Sequence, residues 1–84
     1  MTDTKVGVIV HYYDKIGVAV VKVLTPIKVG DRIKISGHDK EFEQEIASMQ
    51  VEHQNIEKAK KGDDVGMKVD QPVKDGDEVY RVTR

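Results

Sequence analysis

Gly30-Asp31-Arg32-Ile33 reads as the entry to a β-strand, and the same word returns at Gly62-Asp63-Asp64-Val65 and Gly76-Asp77-Glu78-Val79. Glycine accepts a positive φ at a turn, aspartate bonds nearby backbone amides, and the branched residue two positions later opens an inward face. Two copies extend backwards, as Pro26-Ile27-Lys28-Val29-Gly30-Asp31 and Pro72-Val73-Lys74-Asp75-Gly76-Asp77. Three strand starts written with one word predict a chain built from short, punctuated strands.

Composition agrees. Among 84 residues there are 14 valines and 7 isoleucines, against one leucine and three alanines. Side chains branched at Cβ suit a pleated, half-buried surface, whereas helical cores favour Leu and Ala. The chain reads as all-β and as one domain, residues 1–84, with the barrel spanning about 5–82. The length is too short to divide. With no cysteine, a disulfide framework, thiol chemistry and thiolate zinc are excluded. No apolar run approaches the roughly 20 residues of a membrane-spanning helix, and the first residues lack signal-peptide character. A cytoplasmic protein with no membrane association is expected. The net charge of −1 points neither to strong nucleic-acid attraction nor to acidic disorder.

Six strands follow from the pattern. Lys5 to Tyr13 and Ile16 to Leu24 form a hairpin with Asp14-Lys15 at its tip, and Asp31 to Ser36 is the third strand. After a turn at Gly37 to Lys40, Glu41 to His53 forms a long fourth strand. Phe42 and Ile46 share one parity and Met49 and Val51 the other, so a bulge is expected near Ala47-Ser48. Asn55 to Gly62 reads as one short helical turn, and strands at Asp64 to Val69 and Glu78 to Val82 complete a closed or nearly closed six-stranded barrel, an architecture that removes exposed edges. If the turn is Gly37 to Lys40, Lys34 lies opposite Glu43 and Arg32 opposite Glu45.

The stretch Lys28-Val29-Gly30-Asp31-Arg32-Ile33-Lys34-Ile35, followed by Lys60-Lys61-Gly62-Asp63-Asp64-Val65-Gly66, resembles the second, β-barrel domain of translational GTPases such as elongation factor Tu. Val69-Asp70-Gln71-Pro72-Val73 is similar to the C-terminal barrel of the U32 peptidase-like family. Both resemblances imply a six-stranded barrel of the translation-factor domain 2 type, and both describe an accessory domain. The first implies a non-catalytic module contacting tRNA, rRNA or a translation-related protein. The second implies the alternative, an adaptor supplying the accessory barrel of a separately encoded enzyme. Asp14-Lys15-Ile16-Gly17-Val18-Ala19, Gln50 and Asp64 depart from the elongation-factor pattern, so the resemblance carries the fold and not recognition of an aminoacyl end.

Chemistry is sparse. No Gly-x-x-x-x-Gly-Lys-(Ser/Thr) loop is present, so no nucleotide is expected. His11, His38 and His53 lack the i, i+2 or i, i+4 spacing of a local metal site, and no metal or other cofactor is expected. Ser36 and Ser48 have no local base, so no catalytic residue is assigned. Lys58, Lys60 and Lys61, the densest basic cluster, are the RNA-contact candidates.

The first hairpin carries apolar residues on both faces. Period-two arithmetic places Val6, Val8, Val10, Ala19, Val21 and Val23 in the core. It leaves Ile9 opposite Val20, His11 opposite Val18 and Tyr13 opposite Ile16 outside. Either the chain's own loops cover this second face or a partner docks there. His11, Tyr13, Val18 and Val20, flanked by Lys15 and Lys22, are therefore the partner-binding candidates. A weak homodimer is the simplest arrangement when no partner is present.

Overall fold

The computed structural model describes residues 3–37, 40–52 and 54–82. His38 and His53 lie outside the described residues. Within them the chain is all-β. Its strands are β1 (Asp3–Tyr13), β2 (Val18–Val23), β3 (Ile27–Lys28), β4 (Arg32–Ser36), β5 (Glu41–Glu45), β6 (Met49–Val51), β7 (Gln54–Ile56), β8 (Lys58–Ala59), β9 (Asp64–Lys68) and β10 (Glu78–Val82). Eight of them form one antiparallel sheet in the order β5-β4-β10-β1-β2-β9-β6-β7, and β3 pairs with β8.

The repeated word builds three like turns. In each, the aspartate N–H donates to the carbonyl three residues back, at 3.1 Å from Asp31 to Lys28, 3.0 Å from Asp63 to Lys60 and 3.1 Å from Asp77 to Lys74. In each, the aspartate carboxylate also accepts the N–H of that same lysine, at 3.0, 3.1 and 3.0 Å. Gly30, Gly62 and Gly76 have φ of 99°, 96° and 95°, as the third position of a type II turn requires. Two residues after each aspartate, Ile33, Val65 and Val79 are fully buried.

The closed six-stranded barrel is corrected: the backbone ladders form an open series of eight strands, ending at β5 and β7. The physical cause lies at 46–48, between β5 and β6, where the inward parity changes. Phe42, Gln44 and Ile46 face in, and then Met49 does. Ile46 spends its backbone groups on the turn before β4, donating to the Asp31 carbonyl at 2.9 Å and accepting from Gly30 N–H at 2.9 Å. The fourth strand is thereby split in two. A side chain bridges the seam: Gln44, only 4% exposed, donates from Nε2 to the Lys68 carbonyl at 2.9 Å and accepts Asp70 N–H on Oε1 at 2.7 Å.

The helical turn expected over Asn55 to Gly62 is also corrected, since no described residue is helical. Asn55 lies in β7 opposite Gln50, and Lys58 and Ala59 lie opposite Lys28 and Ile27. Partners elsewhere in the chain satisfy these backbone groups, and so short a segment has little intrinsic helix stability to compete with them.

The core assignment in β1 is the third correction. Val6 and Ile9 are buried, Tyr12 packs on the core, and Val10 is 44% exposed, while Val8 is only half-buried. Two register shifts cause this, one between Lys5 and Gly7 against β10 and one between Ile9 and His11 against β2. Each leaves one residue unpaired and flips the parity that follows it. Ile9 therefore faces Val21 in the core rather than Val20 on the outside. The hairpin loop is 14–17, closed by Gly17 N–H on the Tyr13 carbonyl at 2.9 Å, so Tyr13 and not His11 is opposite Val18. Ala19, Val21 and Val23 are fully buried as expected.

The expected register of β4 and β5 is present, with Arg32 opposite Glu45 and Lys34 opposite Glu43. Arg32 pairs diagonally with Glu43 at 3.1 Å, while Lys34 reaches across β10 to Asp3 of β1 at 2.6 Å and diagonally to Glu41 at 3.9 Å.

Candidate functional site

The outer face of β1, β2, β9 and β6 holds two rows of side chains. One row runs His11, Val20, Gly66, Gln50 and Asn55; the next runs Tyr13, Val18 and Lys68. Directly opposite residues share a face, and alternation with buried Ala19 and Val21 turns Val18 and Val20 outward. Tyr13 and Ile16 stand at the hairpin end, 49% and 64% exposed. His11 and Tyr13 meet edge to face, with ring centroids 4.3 Å apart. Together Tyr13, Ile16, Val18, Val20 and Gly66 line an open groove of about 510 Å³, with Gln50, Glu52 and Asp64 on its polar side.

The structure therefore brings His11, Tyr13, Val18 and Val20 onto one outer surface. Lys15 is exposed in the loop that ends this face, and Lys22 is exposed opposite Asp64. Sequence reading missed the polar wall of Gln50, Glu52 and Asp64, which depends on β6 and β9 lying next to β2. Gln50 is held by its own bond, Nε2 donating to Asn55 Oδ1 at 3.0 Å. Glu52 has a φ of 50°, in the left-handed region where a side chain costs energy. Its place in the tight connection between paired Val51 and Gln54 accounts for that conformation.

Gly66 forms the floor between Val20 and Gln50. A Cβ there would meet Val18 Cγ1 at 3.4 Å and the Gln50 carbonyl at 3.8 Å, so no severe clash within the chain demands glycine. A glycine inside a strand also marks a place where another surface can approach closely.

Lys58, Lys60 and Lys61 are exposed but lie apart from this groove's lining, around β8 and the turn that follows it. The described residues contain no cluster of three His, Cys, Asp or Glu able to hold a metal ion. No described helix is long and apolar enough to cross a membrane. The groove offers apolar contact area with ionic edges, a character suited to binding another surface.

No family model matches the chain. An uncharacterized protease of Methanocaldococcus jannaschii is 39% identical over 77 residues, which cover 90% of this chain and 19% of that protein. The chain thus spans about a fifth of the length of the curated relative it matches. The crystal structure of the C-terminal domain of a U32 peptidase-like protein from Geobacillus thermoleovorans has a TM-score of 0.90 at 20% identity, covering 95% of this chain and 93% of that one. The selenomethionine variant of that domain has a TM-score of 0.86 at 22% identity, covering 89% and 95%. At these identities the likeness shows the fold: a barrel-like β-domain of the kind that ends a U32 peptidase-like protein. The elongation-factor resemblance receives no support from these relatives.

Proposed function

We propose that the chain is a non-catalytic accessory domain that works with the catalytic body of a U32 peptidase-like protein, docking on it through the outer face of β1 and β2. The observation that carries this reading is the match of nearly the whole chain to nearly the whole of a discrete C-terminal domain. The match to a fifth of a longer protease supports it. The groove lined by Tyr13, Ile16, Val18 and Val20 supplies a contact surface of the right character. Removing apolar area from water contributes about 25 cal/mol per Å² before the costs of association. The translation reading, in which Lys58, Lys60 and Lys61 would meet RNA, has no such support and is not part of the proposal.

The test uses a U32 peptidase-like protein of the same organism with its own C-terminal domain deleted. Added chain should raise its thermal midpoint and restore its activity, while the chain alone hydrolyses no peptide and binds no GTP. Hydrolysis by the chain alone, or no effect on the truncated enzyme, would contradict the proposal.

A further inference from the structure

At the opposite end of the sheet from the hairpin loop, Lys28 of β3 and Lys58 of β8 are directly opposite one another in a ladder of only two residue pairs. Like charges placed this way destabilise strand pairing, and neither lysine has a carboxylate within ion-pair distance among the described residues. Arg81 lines the same open cavity of about 380 Å³, together with Pro26, Ile27, Lys28, Asp31 and Lys58. Arg81 is opposite the buried Ile33, so its side chain leaves β10 on the core side, at the end of the sheet. It is half-buried, and its Nη1 donates to the Pro26 carbonyl at 2.8 Å. That bond fixes the guanidinium and leaves most of its five donors for another acceptor. No described carboxylate pairs with it. The carboxylate that shares the cavity, Asp31, is committed through Oδ2 to the Lys28 N–H of its own turn.

We infer that Arg81, Lys28 and Lys58 form a binding site for a phosphate group. Lys28, Lys58 and the anchored Arg81 line one opening, and three cationic residues against one carboxylate leave an excess of positive charge that suits a dianion. A planar guanidinium offers a phosphate two parallel N–H donors, and the lysines add point charges on either side. An occupied site also removes the repulsion between Lys28 and Lys58. The inference stands apart from the docking face and does not depend on it.

The test is a two-dimensional NMR titration of the full chain with sodium phosphate, at ionic strength held constant with sodium chloride. Saturable shifts confined to residues 27–31, 58 and 81 are expected. The double variant Lys28→Gln/Lys58→Gln should weaken phosphate binding by about tenfold or more without lowering the thermal midpoint, because it removes the repulsion between the two opposed lysines. A parallel titration with adenosine monophosphate separates the sources. Tighter binding of the ester assigns the group to a phosphate monoester; equal or weaker binding assigns it to free phosphate. Shifts that fail to saturate, that spread equally to Lys15, Lys22 and Lys68, or that persist at the same affinity in the double variant would overturn the inference.

Discussion

Gln44 and Asp70 are joined by a hydrogen bond of 2.7 Å from the Asp70 N–H to Gln44 Oε1, and this bond does for the fold what a strand ladder does elsewhere. The same amide donates to the Lys68 carbonyl at 2.9 Å, so one buried side chain satisfies an acceptor at the last residue of β9 and a donor two residues beyond it. Gln44→Leu keeps the volume and removes both bonds. Leaving a buried group unpaired costs roughly 1–3 kcal/mol; these bonds are partly buried, so urea unfolding should show a loss toward the lower end, about 1 kcal/mol. An unchanged midpoint would mean that water replaces the amide at no cost.

Gly7 is required by contact. A Cβ there would lie 2.6 Å from Val21 Cγ1 and 2.9 Å from the Lys22 carbonyl, and the second of these is backbone, which cannot step aside cheaply. Gly7→Ala should therefore destabilise by about 1–3 kcal/mol, the usual cost of overpacking. Gly30→Ala provides the contrast: nothing lies within 4 Å of its Cβ position, but its φ of 99° makes the penalty conformational. Thermal unfolding of both variants separates the two causes: Val21→Ala should relieve part of the Gly7→Ala penalty, leaving the clash with the Lys22 carbonyl, and should not change the Gly30→Ala penalty.

Lys5 and Glu78 span the register shift between β1 and β10, with Nζ 2.6 Å from Oε2. The hydrogen bond from Lys5, and then its charge, holds the Glu78 carboxyl below its ordinary range. The hydrogen bond to Glu78 likewise raises the Lys5 ammonium. The carboxylate contribution is therefore present above the ordinary carboxyl range and is lost as pH falls through the lowered folded value. The ammonium contribution is present below the ordinary lysine range and is lost as pH rises through the raised one. In urea titrations across pH, Glu78→Gln should flatten the acid limb slightly. The effect should shrink at high salt, because both groups are exposed.

The three Lys-x-Gly-Asp turns were legible in the sequence because each is local: glycine, aspartate and the branched residue act within five positions. The break at 46–48 was legible for a related reason, since Ile46 and Met49 cannot both face in along an unbroken strand. The parity of β1 was not legible. Val6, Val8, Ile9 and Val10 are all apolar, so no alternation exposes the two shifts, and the available signal was Gly7, a glycine inside a strand pattern. The role of Gln44 is set by where β9 ends in space, which no local pattern encodes. On the outer face, His11, Tyr13, Val18 and Val20 follow from the hairpin itself. Gln50, Glu52 and Asp64 join them only because β9 and β6 extend the sheet beside β2.

The central claim, that the outer hairpin face docks on a peptidase-like catalytic body, is tested most directly by sedimentation velocity. The wild-type chain and its Val20→Glu and Tyr13→Ser variants would each be mixed with the U32 peptidase-like protein of the same organism, its own C-terminal domain deleted. The wild-type chain should form a one-to-one complex that survives high salt, as an apolar interface does. Both variants should remain free while keeping the wild-type β-sheet circular dichroism. No complex with the wild-type chain, or complexes of equal strength with two folded variants, would contradict the claim.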